Sequence, residues 1–409
     1  MTSTPTPRAW IEVDLRAVRH NVRHIRSVVG RDTGIMAVVK SDAYGHGLVP
    51  VAKALIGTGI SCLGVAQPQE GLELRDAGVT LPILVMGPTD PWEIAESVRR
   101  RLTLTAYSET FARRVAAAAR SLGIPAAIHI KVDTGMGRMG VWCTDAPELI
   151  GRLAAIRPLS VEGVYTHFPD AEGDPAFTQE QIRLFQRVID RVVERGVNIR
   201  WRHAANSAAL FRYPRARFNL VRPGLALYGL RAGASQAAAV RLEPVLSLKA
   251  RVTDVRLVPA GRSISYGRTY VTQRPTRIAT LPIGYADGYS RALSNRAAIL
   301  VNGRRASVAG RVCMDFTMVD VGRISPVRPG DEVVLLGCCG KQRIGAEELA
   351  RLVGTIPYEV VCGLNARLPR VYRGRAIVVA SRSLRQASTL ATVESSGAPY
   401  AMLEELDRT

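Results

Sequence analysis

Residues 37–47 read AVVKSDAYGHG. Met36, Ala37, Val38 and Val39 form an unbroken apolar run, the pattern of a strand buried on both faces. The run ends in Lys40, followed within a turn by Tyr44 and by His46 between two glycines. Burying a free ammonium is costly, so the lysine at this strand end raises the question of what holds it there. Seven more such runs follow: CLGVAQ, PILVMG, LTLTAY, AAIHIKVD, VEGVYTHF, IRWRHAAN and FNLVRPG. Most lead into a helix signal such as PQEGLELRDAG or SETFARRVAAAARSLG, and FTQEQIRLFQRVIDRVVERG reads as a long amphipathic helix. Eight strand–helix units in about 220 residues predict a (β/α)8 TIM-like barrel. A doubly wound open sheet is the runner-up, but no G-x-G-x-x-G fingerprint follows the first strand.

Upstream, IEVDLRAVRHNVRHIRSVVG places Leu15, Val18, Val22 and Ile25 at helical spacing after a polar leader. Past Leu230 the pattern changes. RAGASQAAAV reads as a linker, and VLSLKARVTDVRLVPAG, RIATLPIGYADG, AAILVNGRRASVAG, FTMVDVG and DEVVLLG read as short strands with glycine turns. The division expected is an α/β barrel over 9–240, a mainly β C-terminal domain over 241–382 and a flexible tail over 383–409, with a short helix at YAMLEELDR.

The chain has 409 residues, 47% hydrophobic and 22% charged, the balance of a soluble globular protein with a large core. No run approaches the roughly 18 apolar residues of a membrane span, and the N-terminus lacks a signal-peptide pattern, so a cytoplasmic protein with no membrane partner is expected. The net charge of +20 is almost all arginine, with only five lysines: Lys40, Lys53, Lys131, Lys249 and Lys341. The basic residues are dispersed and not interleaved with aromatics, which argues against a nucleic-acid partner. Six cysteines without a C-x-x-C pair suit neither zinc nor a disulfide framework and read as buried free thiols; no metal site is expected.

Active-site groups of such barrels stand at the C-terminal ends of the strands. Lys40 ends the first, Lys131 and Asp133 the fifth, His167 the sixth, His203 and Asn206 the seventh, and Arg222 the eighth. Each alone is an ordinary polar residue at a strand edge; together they mark one mouth. The loops after strands seven and eight, where barrels often bind phosphate, read NSAAL and RPGLALYG. Ser207 offers a hydroxyl there, and Gly224 lets backbone N–H groups approach closely. Lysine forms a Schiff base with an aldehyde, and pyridoxal 5′-phosphate carries both phosphate and aldehyde.

AVVKSDAYGHG, KVDTGMGRMG, THF, NSAAL, VRPGLALYG, SYGRTY, PIGYADGYSR and GRVCMDFTMVDV, in this order from about Ala9 to Tyr372, resemble alanine racemase. The resemblance implies that Lys40 carries pyridoxal phosphate and handles the α-proton of D-alanine. Tyr266 would be the opposite base, for L-alanine, reaching the barrel of a partner subunit in a homodimer with shared active sites. Tyr44, Ser207, Gly224, Leu225 and Tyr358 would hold the phosphate, with Asn206 beside them among the cofactor-binding residues. Arg222 would face the pyridine nitrogen, with His167 in the same network. Arg138 would contact the cofactor's phenolic oxygen and the substrate carboxylate. Cys313, Met314 and Asp315 would line the substrate pocket, and Tyr285 would narrow its entrance. Lys131 matches a position that can be carbamylated, its new charge orienting Arg138; the alternative is a lysine paired with Asp133. The activity implied is interconversion of L- and D-alanine, supplying D-alanine for peptidoglycan.

Racemisation needs proton removal on one face and delivery on the other, so two bases are expected. Arginine opposite the ring nitrogen weakens the ring as an electron sink and disfavours transamination and decarboxylation. A barrel decarboxylase would be expected to place a carboxylate there. A non-catalytic pyridoxal-phosphate carrier would resemble the barrel alone. A racemase for serine or bulkier amino acids stays open, although Tyr285 and Tyr358 favour a small pocket.

Overall fold

Strand β1 (Ala9–Asp14) runs directly into a helix, Leu15–Val29, whose buried face is Ala17, Val18, Asn21, Val22, Ile25 and Val29. The structure, a computed structural model, describes residues 7–231, 241–324, 326–374, 376–380 and 393–394. The expected linker beyond Arg231, and the expected tail apart from residues 393–394, lie outside the described residues. Two compact units emerge: Ala17–Glu243, and Met1–Arg16 together with Pro244–Thr409.

The first unit is a nearly closed barrel. Its strands are β2 (Gly34–Val38), β3 (Cys62–Val65), β4 (Ile83–Val85), β5 (Thr103–Ala106), β6 (Ala126–Asp133), β8 (Leu159–Tyr165), β9 (Trp201–His203) and β10 (Leu220–Val221). They pair in parallel in the order β10-β2-β3-β4-β5-β6-β8-β9, with the short β7 (Val141–Trp142) on β6. Helices between successive strands cover the outside, the longest being Pro175–Glu194. Met36, Cys62, Leu84 and Leu220, from four different strands, meet in one buried cluster. Between β9 and β10 a side chain stands in for a ladder. Asn219 Oδ1 accepts the Arg202 N–H at 2.7 Å, and its Nδ2 donates to the Arg200 carbonyl at 2.6 Å.

The second unit is built on a long, mainly antiparallel sheet. Its strands are β11 (Leu246–Arg251), β12 (Asp254–Val258), β15 (Thr276–Leu281), β16 (Ala298–Val301), β17 (Arg304–Val308), β18 (Thr317–Asp320), β19 (Glu332–Cys339), β20 (Gln342–Ile344), β21 (Arg370–Arg373), β22 (Ala376–Ala380) and β23 (Val393–Glu394). A separate hairpin joins β13 (Ser263–Ile264) to β14 (Tyr270–Val271). β1 belongs here, lying between β11 and β21. The sequence reading counts residues 9–16 with the barrel and takes 11–14 as the approach to a helix; the structure corrects both. Glu12, which made the segment look polar, is almost buried and accepts from Lys249 at 3.2 Å and Arg373 at 2.7 Å. Ion pairing with residues far along the chain lets this segment run as an internal strand.

The thiols also need correction. None of the six forms a disulfide, but only Cys62 is buried, and that burial pushes its pKa up to about 12. Cys338 and Cys362 are exposed: one lies near the end of β19 and the other closes the short helix Pro357–Cys362.

Candidate active site

β2 stops at Val38, and Lys40 opens the turn that follows, Lys40–Gly45. Ser41, Asp42, Ala43 and Tyr44 all have φ between 52° and 56°, one turn of left-handed helix without a glycine. Each such residue costs roughly 1–2 kcal/mol, so the turn must be held. Ala43 N–H bonds the Val39 carbonyl at 2.8 Å, Gly47 N–H the Asp42 carbonyl at 2.9 Å, and Leu48 N–H the Asp42 carboxylate at 2.8 Å. His46 Nδ1 lies 2.9 Å from the carbonyls of Ala43 and Tyr44, so it carries the proton and donates. The Glu70 carboxylate accepts from the N–H groups of Ser41 and Asp42.

Tyr44 is thereby delivered to the loops after β9 and β10. Ser207 Oγ accepts the N–H of Gly224 at 2.9 Å and of Ala226 at 3.2 Å, leaving its own proton to donate. A Cβ on Gly224 would stand 2.4 Å from Tyr44 Oη, so any side chain there would require Tyr44 to move. Ser207, Gly224 and Tyr44 are thus brought together. Leu225 follows with its side chain in the core, which leaves its backbone as the part able to face a ligand. Asn206 Oδ1 caps Ser207–Arg212 through the Ala209 N–H at 2.9 Å.

Arg222 is buried among neutral acceptors. Its guanidinium donates to the carbonyls of Thr166 at 2.8 Å and Ala204 at 3.0 Å, to His203 Nδ1 at 3.1 Å and to His167 Nδ1 at 3.2 Å. Burial lowers its pKa to about 10, so it is cationic at neutral pH. Because Arg222 donates to Nδ1 of His203, Nε2 of that ring carries the proton and donates to His129 Nδ1 at 2.9 Å. Burial, then the charge of Arg222, holds His129 down to about 3 and His203 well below its ordinary range. His167 is lowered in the same way, with Arg138 adding to the effect.

Lys131 is buried beside these groups, its Nζ 5.8 Å from the centre of the Tyr165 ring. Burial first, then Arg138 and Arg222, bring its pKa down to about 8. Asp133 is not its ion-pair partner. Both Asp133 oxygens take backbone N–H groups, of Gly135 at 2.8 Å and of Met136 and Gly137 at 2.9 Å. That carboxylate shapes the loop leading to Arg138. Gln181, from the long helix, bonds Thr134 Oγ1 at 3.2 Å and the His167 carbonyl at 3.3 Å. Nothing local in the sequence marks the contacts of Glu70 with Ser41, His129 with His203, Tyr165 with Thr105 or Gln181 with Thr134, because these partners lie dozens of residues apart; the Q-E of PQEGLELRDAG signals only a helix start.

The remaining candidates lie in the second unit. Tyr266 is 71% exposed in a turn where Ser265 and Arg268 have φ of 65° and 52°. Ser265 Oγ donates to the Arg311 carbonyl at 2.5 Å and lies 3.4 Å from Cys313 Sγ, which ties the Tyr266 turn to the 311–315 segment. Tyr285 and Ala286 N–H groups bond the carbonyls of Cys313 and Met314, each at 3.0 Å. Arg367 bridges Asp287 and Asp315, both at 2.6 Å, so Asp315 secures the segment that presents Met314. Tyr266, Tyr285, Cys313, Met314 and Asp315 are therefore one connected group. Tyr358, on Pro357–Cys362, belongs to this unit and not to the barrel.

The matching family models are the alanine racemase N-terminal domain over residues 13–232 and the C-terminal domain over 245–372. The chain belongs to the alanine racemase family. It is 46% identical over 369 residues to an alanine racemase of Desulforamulus reducens, covering 89% of this chain and 99% of that one. An alanine racemase structure from Clostridium difficile 630 superposes with a TM-score of 0.88 at 37% identity, covering 93% of this chain and all of the other. The Bacillus anthracis alanine racemase with bound L-Ala-P gives 0.85 at 38% identity, covering 93% and 99%. The chain is accordingly an amino-acid racemase with a parallel-stranded barrel and a mainly β second domain. Among the described residues no helix is long and apolar enough to cross a membrane.

Proposed function

We propose that this racemase interconverts L- and D-alanine with pyridoxal 5′-phosphate held on Lys40, and that Lys40 and Tyr266 are the two bases. The observation that carries this is the cradle at Gly224. Tyr44 Oη occupies the space a side chain would need, and Ser207 gathers two N–H groups beside it. The proton Ser207 has left to donate, beside Tyr44 Oη, suits a phosphate oxygen, and Lys40 stands four residues before Tyr44 in a turn of fixed conformation. The residues therefore fit the cofactor. Tyr44, Ser207 and the backbone at Gly224 and Leu225 would hold its phosphate, with Asn206 alongside and Tyr358 as the remaining phosphate-binding residue of this proposal. When bound, the cofactor supplies the electron sink that stabilises a carbanion at the substrate Cα.

Arg222 would face the ring nitrogen. Held cationic by neutral acceptors, it leaves that nitrogen unprotonated, which limits side reactions. His167, neutral and bonded to Arg222, keeps the guanidinium in place. Arg138 would hold the substrate carboxylate, oriented by a carbamate on Lys131. Lys40 Nζ would take or return the α-proton on one face, and Tyr266 Oη on the other.

Tyr266 would act from a second copy of the chain, in a homodimer with shared sites. Tyr266, Met314, Phe316 and Ile356 are large side chains exposed on one unit, as an interface requires. There Cys313, Met314 and Asp315 would line the substrate pocket and Tyr285 would narrow its entrance. A cytoplasmic supply of D-alanine for peptidoglycan is the role this implies.

The test is Lys40→Ala. The visible absorbance of lysine-bound cofactor and the racemisation of a panel of L-amino acids are measured together. Wild type should show the band and turn over alanine in preference to serine and larger side chains; the variant should lose both. A surviving band or surviving turnover would overturn the assignment of Lys40.

A further inference from the structure

Glu70 is the third residue of the helix Pro68–Asp76, where a glutamate ordinarily serves its own helix start. One oxygen does so: Oε2 accepts the N–H groups of Ala66 at 2.8 Å and Gln67 at 3.3 Å. The other does not. Oε1 accepts the N–H of Ser41 at 2.5 Å and of Asp42 at 3.4 Å, in the left-handed turn that Lys40 opens. These are the first two peptide groups after Lys40. A single carboxylate thus joins the end of β3 to the turn after β2, and it does so where four consecutive non-glycine residues hold an unfavourable conformation.

We infer that Glu70 is a positioning residue for Lys40, fixing the backbone from which the reacting amine projects. This rests on the reading above that Lys40 is that amine. Glutamine separates the two jobs. A glutamine at this position still completes a capping box, but its amide has one acceptor oxygen, and its nitrogen can only donate. With the oxygen engaged at residues 66 and 67, the amide nitrogen faces the Ser41 N–H, donor against donor. Glu70→Gln should therefore preserve the helix start and release the turn.

The holoenzymes of wild type and Glu70→Gln are compared by amide hydrogen exchange, melting temperature, and kcat and KM for alanine. Exchange at 41–44 should accelerate at least about tenfold, while 66–70 stays close to wild type. A loosened reacting group typically costs about ten- to a hundredfold in rate. That loss should fall on kcat, with KM for alanine within about threefold. Ser41→Gly in the Glu70→Gln background should recover part of kcat, because glycine takes the left-handed conformation without penalty. If the glutamine variant does not fold, Glu70→Asp gives the same readouts, since its shorter carboxylate cannot span both loops. Unchanged exchange at 41–44, or accelerated exchange with unchanged kcat, would overturn the inference and leave Glu70 a helix cap. The exchange measurement does not depend on catalysis, so a wild type without cofactor band or turnover would count against the proposed function alone.

Discussion

Lys131 shows how a single residue can carry a testable state. With its pKa near 8, a substantial share of the amine is neutral at physiological pH and able to add to carbon dioxide. The nitrogen lone pair forms the N–C bond, one proton is released, and the product is an anion. Carbon-13 bicarbonate should therefore give a carbamate resonance, and native mass spectrometry an added carbon dioxide; both should vanish in Lys131→Met. The pH dependence has a definite sign. The folded pKa lies below the unfolded value of about 10.4, so between about pH 8 and 10.4 the unfolded chain binds more protons and stability rises with pH. In carbonate-free buffer wild type should show this rise relative to Lys131→Met. Tyr266→Phe tests the other proposed base, deleting one oxygen and keeping the ring. Racemisation should slow about 10²–10⁴-fold in both directions, since the variant cannot change alanine's equilibrium constant. Exchange of the α-proton in deuterated solvent should separate the enantiomers, D-alanine still exchanging through Lys40 and L-alanine far more slowly. Equal loss from both would count against two opposed bases. Lys40 and Arg222 were legible as candidates at strand ends, and Tyr266 only through the family resemblance. The groups that aim them stayed hidden: Asp133 looked like a partner for Lys131, yet both its oxygens belong to a loop.

The elements were read well where a local pattern was sufficient. Eight apolar runs separated by helix signals gave the barrel, because parallel strands buried on both faces need no polar alternation. The reading failed at β1, whose partners are remote. Trp10, Ile11 and Val13 are buried, but the interleaved Glu12 and Asp14, and the absence of a turn before Leu15, made the segment resemble the start of a helix. Deletion makes the distinction measurable. Removing residues 1–8 should leave melting and activity nearly unchanged, because it stops short of β1. Removing residues 1–14 should expose the facing edges of β11 and β21, lower the melting temperature and promote aggregation. Equal behaviour of the two truncations would mean that β1 is dispensable to the sheet.

For the whole molecule, the proposed catalytic groups are divided between two units of the chain. Lys40 and Arg222 stand in the barrel, while Tyr266 and Met314 stand in the mainly β unit. If sites are shared between copies, mixing Lys40→Ala with Tyr266→Phe protein should restore activity, since one of the two sites in the heterodimer has both bases. Absence of recovery in a verified heterodimer would mean that each site is drawn from one chain.

The place of β1 also bears on how the protein is made. Ribosomes deliver the N-terminus first, so this strand leaves the exit tunnel before the entire barrel and long before either of its neighbours. The barrel can close once residue 243 has emerged, whereas β21 follows roughly 130 residues later, on the order of ten seconds at ordinary translation speeds. Until β11 emerges a segment with four buried apolar side chains has no strand to join, and until β21 emerges it has only one of its two neighbours. A nascent chain stalled shortly after Glu243 should therefore be a target for chaperones that bind short apolar segments near the N-terminus. The completed chain, with its strand in place, should not.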